Sequence, residues 1–241
     1  MEYVWFVTGT SQGIGLEIVK QLIAVSSHTV FAGCRNPDSA ADLQALKTSA
    51  KGILHIVTLD VDSQESIQNA ADATKALLGD RGVDYLINNA AISEGFDTAF
   101  NMSAAGLMRT FQTNVAGPAQ VTRAMLPLVE RGNRKVVVNI SSTAGTFGKD
   151  LGPIVASYSV TKAALNMLTL KQASERPDLI IFAVDPGWVR TAMGGEGVPV
   201  EAQDTVSNLP GHVAHLLTLF ESATRKHSCK IWTHTGQELP W

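Results

Sequence analysis

Tyr158 and Lys162 stand four residues apart in the run Ala156-Ser157-Tyr158-Ser159-Val160-Thr161-Lys162-Ala163-Ala164-Leu165. On a helix that spacing puts both side chains on one face, one turn from each other. A free phenol ionises near pH ~10 and exchanges protons reluctantly at neutral pH; an ammonium beside it favours the phenolate. The pair therefore suits general acid–base chemistry, the tyrosine carrying the proton and the lysine tuning it. A Tyr and a Lys at this spacing also recur in helices by chance, so the rest of the chain must supply the other parts of a site.

A second group lies near the start. Tyr3–Thr8 is almost wholly apolar, as expected of a parallel strand buried on both faces. Gly9-Thr10-Ser11-Gln12-Gly13-Ile14-Gly15 follows, then the helical spacing Leu16, Ile18, Val19, Leu22, Ile23. Strand, glycine-rich turn and helix together seat a phosphate on a helix N-terminus, and glycine lets it approach without a Cβ in the way. The Gly-x-x-x-Gly-x-Gly spacing departs from the standard dinucleotide fingerprint, and a plain strand-to-helix turn has the same form. Thr29–Cys34 reads as the second strand and ends at Arg35-Asn36-Pro37. An acid there would bind ribose hydroxyls; an arginine suits a 2′-phosphate through paired, charge-assisted hydrogen bonds, which favours NADPH over NADH. A solvated turn arginine is the ordinary alternative.

The elements that position these residues alternate along the chain. Asp38–Ala50 is expected to be helical, Ile53–Leu59 a strand running into Asp60-Val61-Asp62, and Ser63–Leu78 a helix with Ser63 as its cap and Ser66 where a capping-box acid could stand. Val83–Ile87 is the fourth strand and ends in Asn88-Asn89-Ala90-Ala91. Met102–Arg131 has a continuous helical pattern with Asn114 in its interior, a poor helix residue that bends a helix or holds a water when it does not simply face solvent. Val136–Ile140 flows into Ser141-Ser142-Thr143-Ala144-Gly145, and Leu179–Val184 into Asp185-Pro186-Gly187-Trp188-Val189-Arg190-Thr191. A glycine-rich stretch around Met193–Pro199 precedes a helix at Pro210–Ala223 and a last strand at Lys230–Thr233. Such alternation predicts an α/β fold of a single domain spanning 1–241: a doubly wound parallel β-sheet of the Rossmann type with helices on both faces. The right-handed crossover rule gathers the strand ends, and with them every residue singled out above, on one rim.

Composition narrows the function. With 241 residues, 45% hydrophobic and 17% charged, one sizeable core can form. A net charge of -3 gives no electrostatic footprint for nucleic acid. Cys34 and Cys229 are too few for a disulfide framework or a zinc site, and His212 with His215 reads as helix surface rather than metal ligands. Strand-like sequence from Tyr3 leaves no room for a signal peptide and no apolar run approaches membrane-spanning length, so a soluble cytoplasmic protein is expected.

Taken in order, Thr8-Gly9-x-x-x-Gly13-Ile14-Gly15, Asn88-Asn89-Ala90, Asn114, Ser142, Tyr158-x-x-x-Lys162 and Pro186-Gly187-x-Val189-x-Thr191 resemble the short-chain dehydrogenase/reductase family along the whole chain. The ending Gly236-Gln237-Glu238-Leu239-Pro240-Trp241 with Met193-Gly194-Gly195 is similar to a branch that includes C-factor-like proteins and fungal ketoreductases of the norsolorinic-acid type. The resemblance implies that Gly9, Gly13, Ile14 and Gly15 line the pyrophosphate, with Ser11 and Gln12 near the adenosine end. It gives Arg35 the 2′-phosphate, Asp60 and Val61 the adenine, and Asn89 and Ala90 the ribose. Pro186, Gly187, Val189 and Thr191 would hold the nicotinamide, Tyr158 would donate the proton, and Lys162 would tune it and bind the nicotinamide ribose. Ser142 would bond the substrate carbonyl, chosen over Ser141 on the Asn-Ile-Ser-Ser pattern, and Asn114 would anchor a water. Ala91, in place of a frequent glycine, and the acid Asp185 depart from the family pattern.

The expected activity is NADP(H)-dependent reduction of a ketone or aldehyde carbonyl. The alternatives are an NAD-linked alcohol dehydrogenase and a cofactor-binding signalling or redox-sensing protein. Thr143, Phe147, Trp188 and Met193 are the expected substrate walls, and their apolar character suggests a ketone, aldehyde or aromatic substrate. A homodimer or homotetramer is common among such relatives.

Overall fold

Short apolar runs become central strands because neither of their faces meets water. In the computed structural model, which describes residues 2–149, 151–187, 189 and 208–241, the strands are β1 (Val4–Thr8), β2 (Thr29–Cys34), β3 (Ile53–Thr58), β4 (Tyr85–Asn88), β5 (Val136–Ile140), β6 (Ile180–Asp185), β7 (Ile231–Thr233) and β8 (Glu238–Leu239). The helices are α1 (Gly13–Leu22), α2 (Ala41–Ser49), α3 (Gln64–Leu78), α4 (Ala104–Phe111), α5 (Gly117–Arg131), α6 (Ala156–Glu175) and α7 (Leu209–Ser222). One eight-stranded sheet runs in the order β3-β2-β1-β4-β5-β6-β7-β8. This is the doubly wound α/β class, with the strand order reversing between β1 and β4, where such sheets receive ligands.

The described residues fall into two compact units, one drawn from Met1–Ala90 with Pro118–Val138, the other from Ala91–Gly117 with Asn139–Trp241. In the first, β1 pairs in parallel with β2 and β4, and β2 with β3, so the ends that lead to Gly9, Arg35, Asp60 and Asn89 point the same way. The Trp5 and Tyr85 rings stack at 3.8 Å inside it. Buried Asp84 accepts the backbone N–H groups of Val4 and Asn133 at 2.8 and 2.7 Å, pinning one strand and one turn with a single carboxylate. Ser63 caps α3 by accepting the Ser66 N–H at 3.2 Å. The Ser66 hydroxyl accepts the Asp60 N–H at 2.9 Å, so it ties down the loop after β3 instead of completing a capping box.

Three expectations are corrected. Residues 38–50 are not one helix: Pro37 opens a separate 3-10 turn, Pro37–Ser39, before α2 begins. Proline's fixed φ and missing N–H favour a first turn that starts there. The helix expected over 102–131 is interrupted by a π turn at Gln112–Ala116, between α4 and α5. In the second unit β6 and β7 are parallel, but β8 runs antiparallel to β7, so the sheet is mostly rather than wholly parallel. Two residues are too short to show an alternating pattern. Among the described residues, no helix is long and apolar enough to cross a membrane.

Candidate active site

In the first unit the glycine-rich turn is held by one hydroxyl and one amide. Thr8 Oγ1 accepts the N–H groups of both Asn89 and Ala90 at 2.9 Å. The Asn89 amide donates back to the carbonyls of Thr8 and Gly9 at 2.9 and 3.1 Å. Gly9 has φ +69, and a Cβ there would lie 2.7 Å from the Ala90 Cα. At Gly15 a Cβ would lie 2.3 Å from the Gly9 carbonyl oxygen. Close backbone approach therefore demands glycine at both positions. α1 then opens with no side-chain cap and no acid in its first turn, which leaves its N–H groups available to an anion. Arg35, exposed, lines a cavity of about 340 Å³ with Ser11, Gln12, Asn36, Ser39 and Asp42. Asp60 turns onto its own loop, accepting the Asp62 N–H at 3.0 Å, and Val61 is buried beside it.

The second unit carries the acid–base group. α6 buries Thr161 and Lys162 while Tyr158 keeps a partly exposed ring. Lys162 Nζ donates to the Ile140 carbonyl at 2.7 Å and sits 5.3 Å from the Tyr158 ring centroid. Burial pushes the Lys162 ammonium down to about 7, with Asp185 partly opposing. Tyr158 is raised above its ordinary value, first by burial and then by the Asp185 charge, against the Ser142 hydroxyl, which lowers it. Here the expectation of a lysine-acidified phenol is corrected: the lysine is itself enclosed, and loss of water outweighs it.

Ser141 and Ser142 separate clearly. Buried Ser141 gives its hydroxyl to Asn166 Oδ1 at 2.5 Å, and Asn166 donates to the Gly145 carbonyl at 3.0 Å. Ser142 accepts the Ala144 N–H at 3.1 Å, and its hydroxyl acts on Tyr158 to lower the phenol's pKa. Asn114 stands in the π turn, where it accepts the Ile92 N–H at 2.8 Å and donates to the Ile92 carbonyl at 2.9 Å and to Thr161 Oγ1 at 3.1 Å. Insertion of one residue into the helix ladder re-aims a side chain in this way, and π turns recur at functional sites.

Residues 3–201 match the short chain dehydrogenase family. The chain belongs to that family. This short-chain dehydrogenase is 30% identical to norsolorinic acid ketoreductase of Aspergillus parasiticus over 100% of its own length and 92% of that protein. It is 32% identical to C-signal of Myxococcus xanthus, covering 66% of this chain and 93% of the other. Both belong to the branch anticipated from its ending. Its fold superposes on an NADPH-bound carbonyl reductase from chicken fatty liver with TM-score 0.92 and 31% identity, over 100% of each chain.

Of the candidate residues of this short-chain dehydrogenase, Gly9–Gly15, Arg35, Asp60, Val61, Asn89 and Ala90 fall in the first unit. Asn114, Ser142, Thr143, Tyr158, Lys162, Pro186, Gly187 and Val189 fall in the second. Trp188, Thr191 and Met193 lie outside the described residues, as does the glycine-rich stretch at 193–199. Phe147, expected as a pocket wall, is 91% exposed and follows the Thr143–Gly145 turn by two residues. His212 is not mere helix surface, since its Nδ1 lies 3.1 Å from the Pro186 carbonyl and its ring stacks on His234 at 4.2 Å. Thr161 was not singled out, and Thr8 only as the first residue of the glycine motif, with no role. Each reads as an ordinary β-branched residue, and only its hydroxyl's partners show what it holds.

Proposed function

We propose that this oxidoreductase is an NADPH-dependent carbonyl reductase, working as one dinucleotide-binding domain, with Tyr158 as its proton donor. The observation that carries the reading is the Ser142–Tyr158–Lys162 set: a half-buried phenol kept protonated, influenced by the Ser142 hydroxyl, with the buried Lys162 amine 5.3 Å from its ring centroid. A protein that only bound a dinucleotide would have no need of the full acid–base group of Asn114, Ser142, Tyr158 and Lys162.

The donor set fits the cofactor. Gly9, Gly13, Ile14 and Gly15 with the open α1 N-terminus suit its pyrophosphate, with Ser11 and Gln12 toward the adenosine. Asp60 and Val61 would meet the adenine, Asn89 and Ala90 a ribose, and Pro186, Gly187, Val189 and Thr191 the nicotinamide. When bound, the cofactor supplies the hydride. Tyr158 gives its hydroxyl proton to the oxygen on which negative charge develops. Ser142, whose hydroxyl acts on that phenol, fixes where the carbonyl oxygen is received, and Lys162 stabilises the phenolate left behind. Asn114 holds Thr161, and with it this turn of α6, against the Ile92 backbone. Substrates are ketones or aldehydes, aromatic ones included.

NADPH is favoured by Arg35 and by the NADPH bound in the chicken reductase. Asp42 lines the same cavity and is the feature that favours NADH. An Arg35→Ala variant is expected to weaken NADPH binding by roughly 10- to 100-fold, the worth of a charge-assisted phosphate contact, and to leave NADH binding unchanged. Fluorescence titration with each cofactor checks this; equal NADPH affinity in variant and parent contradicts the cofactor assignment.

A further inference from the structure

Asp185 is the last residue of β6. It is half-buried and joins two turns: one carboxylate oxygen accepts the Thr143 hydroxyl, the other accepts the Gly187 N–H at 3.2 Å. Thr143 is the immediate neighbour of Ser142, the serine whose hydroxyl acts on Tyr158. Gly187 has φ +77, and a Cβ there would come within 2.9 Å of His212 and 3.0 Å of His234. The carboxylate thus fixes the turn after β5 to the turn after β6 within the second unit.

We propose that Asp185 is a positioning residue of the reaction, its carboxylate locking the Ser142–Thr143 turn, which carries the serine beside Tyr158, to the Pro186–Gly187 turn. This rests on the reading of Tyr158 as proton donor. The charge of that carboxylate also favours the neutral phenol and the charged ammonium, and those are the forms that reduction requires. The titratable groups around Asp185 are Tyr158 and Lys162 from α6 and His234 after β7, with His212 and His215 of α7 stacked on His234. Burial, followed by His212, holds His234 below the ordinary histidine range. At neutral pH its ring is uncharged and leaves the carboxylate's field to the α6 pair. The equilibrium between carbonyl and alcohol is untouched; what Asp185 sets is the pH range over which the donor is armed.

The test needs no cofactor. Lysine side-chain carbons are labelled with carbon-13 and followed by NMR against pH, the Lys162 signal being assigned by its loss in Lys162→Met. Asp185→Asn can still accept the Gly187 N–H through its amide oxygen and donate its amide N–H to the Thr143 hydroxyl, but removes the charge; Thr143→Val keeps the charge but removes the clasp. The Lys162 midpoint is expected near 7 in the parent, lower by roughly one unit in Asp185→Asn and unmoved in Thr143→Val. The alkaline limb of kcat/KM for carbonyl reduction is expected to move down with it in Asp185→Asn alone, while Thr143→Val lowers kcat/KM without moving the limb. An unmoved Lys162 midpoint in Asp185→Asn overturns the proposal, as does the same shift in both variants, which would mark a purely structural role. A shifted midpoint in a protein that reduces no carbonyl sustains the electrostatic assignment and overturns the reductase reading instead.

Discussion

Tyr158→Phe is expected to lower carbonyl reduction by about 10³-fold, with NADPH binding and folding close to those of the parent. The magnitude is that of a lost general acid, typically ~10²–10⁴ in rate, or about 4 kcal/mol of barrier for three decades. Folding should survive because Phe keeps the ring and the lost hydroxyl belongs to a half-buried residue, while Ser142 keeps the Ala144 N–H it already accepts. Steady-state kinetics with the best carbonyl of a panel, a cofactor titration and a thermal melt check the three parts separately. A variant that still turns over briskly removes the phenol from the mechanism.

Gly15→Val acts in the glycine-rich turn of the first unit and for a steric reason. A Cβ at this position would stand 2.3 Å from the Gly9 carbonyl oxygen and 2.5 Å from the Asn89 amide nitrogen, so the clasp between Thr8, Gly9 and Asn89 must open. Overpacking of this kind costs about 1–3 kcal/mol of stability. The cofactor effect should be larger, with NADPH affinity down by ~100-fold or more, since the turn that receives the phosphates has moved. Gly79→Ala is the control: φ is +62 there and nothing lies within 4 Å of the added carbon. With ψ at -120 the backbone lies outside the left-handed helical region, so the variant should cost about 1–3 kcal/mol from strain and leave NADPH binding alone. Equal affinity in the Gly15 and Gly79 variants would show that the glycine-rich turn does not hold the dinucleotide.

Legibility in the sequence followed the range of the interaction. β2 and β5 occupy the expected residues, Thr29–Cys34 and Val136–Ile140, because strands buried on both faces leave uninterrupted apolar runs with turn-formers at each end. Ser63 was readable as a cap because its partner, the Ser66 N–H, is three residues away. The π turn was half-readable: Asn114 marked a fault in the helix, but the Ile92 backbone that satisfies its amide is 22 residues distant and leaves no local trace. β8 escaped because an antiparallel pair of two residues is fixed by its partner strand rather than by its own pattern. At the candidate site, residue types could be read and protonation could not. Spacing alone set Lys162 beside Tyr158, but the enclosure that drives one down and the other up, and the Asp185 charge arriving from the end of β6, exist only after folding.

The central claim is that this chain moves hydride from NADPH to a carbonyl carbon. It is tested most directly with NADPH carrying deuterium at the transferable position of the nicotinamide, a panel of ketones and aldehydes, and mass spectrometry of the products. The account predicts one deuterium on the carbinol carbon of at least one product, with formation lost in Tyr158→Phe. Products free of label, or none across the panel from a protein that binds NADPH tightly, would contradict it.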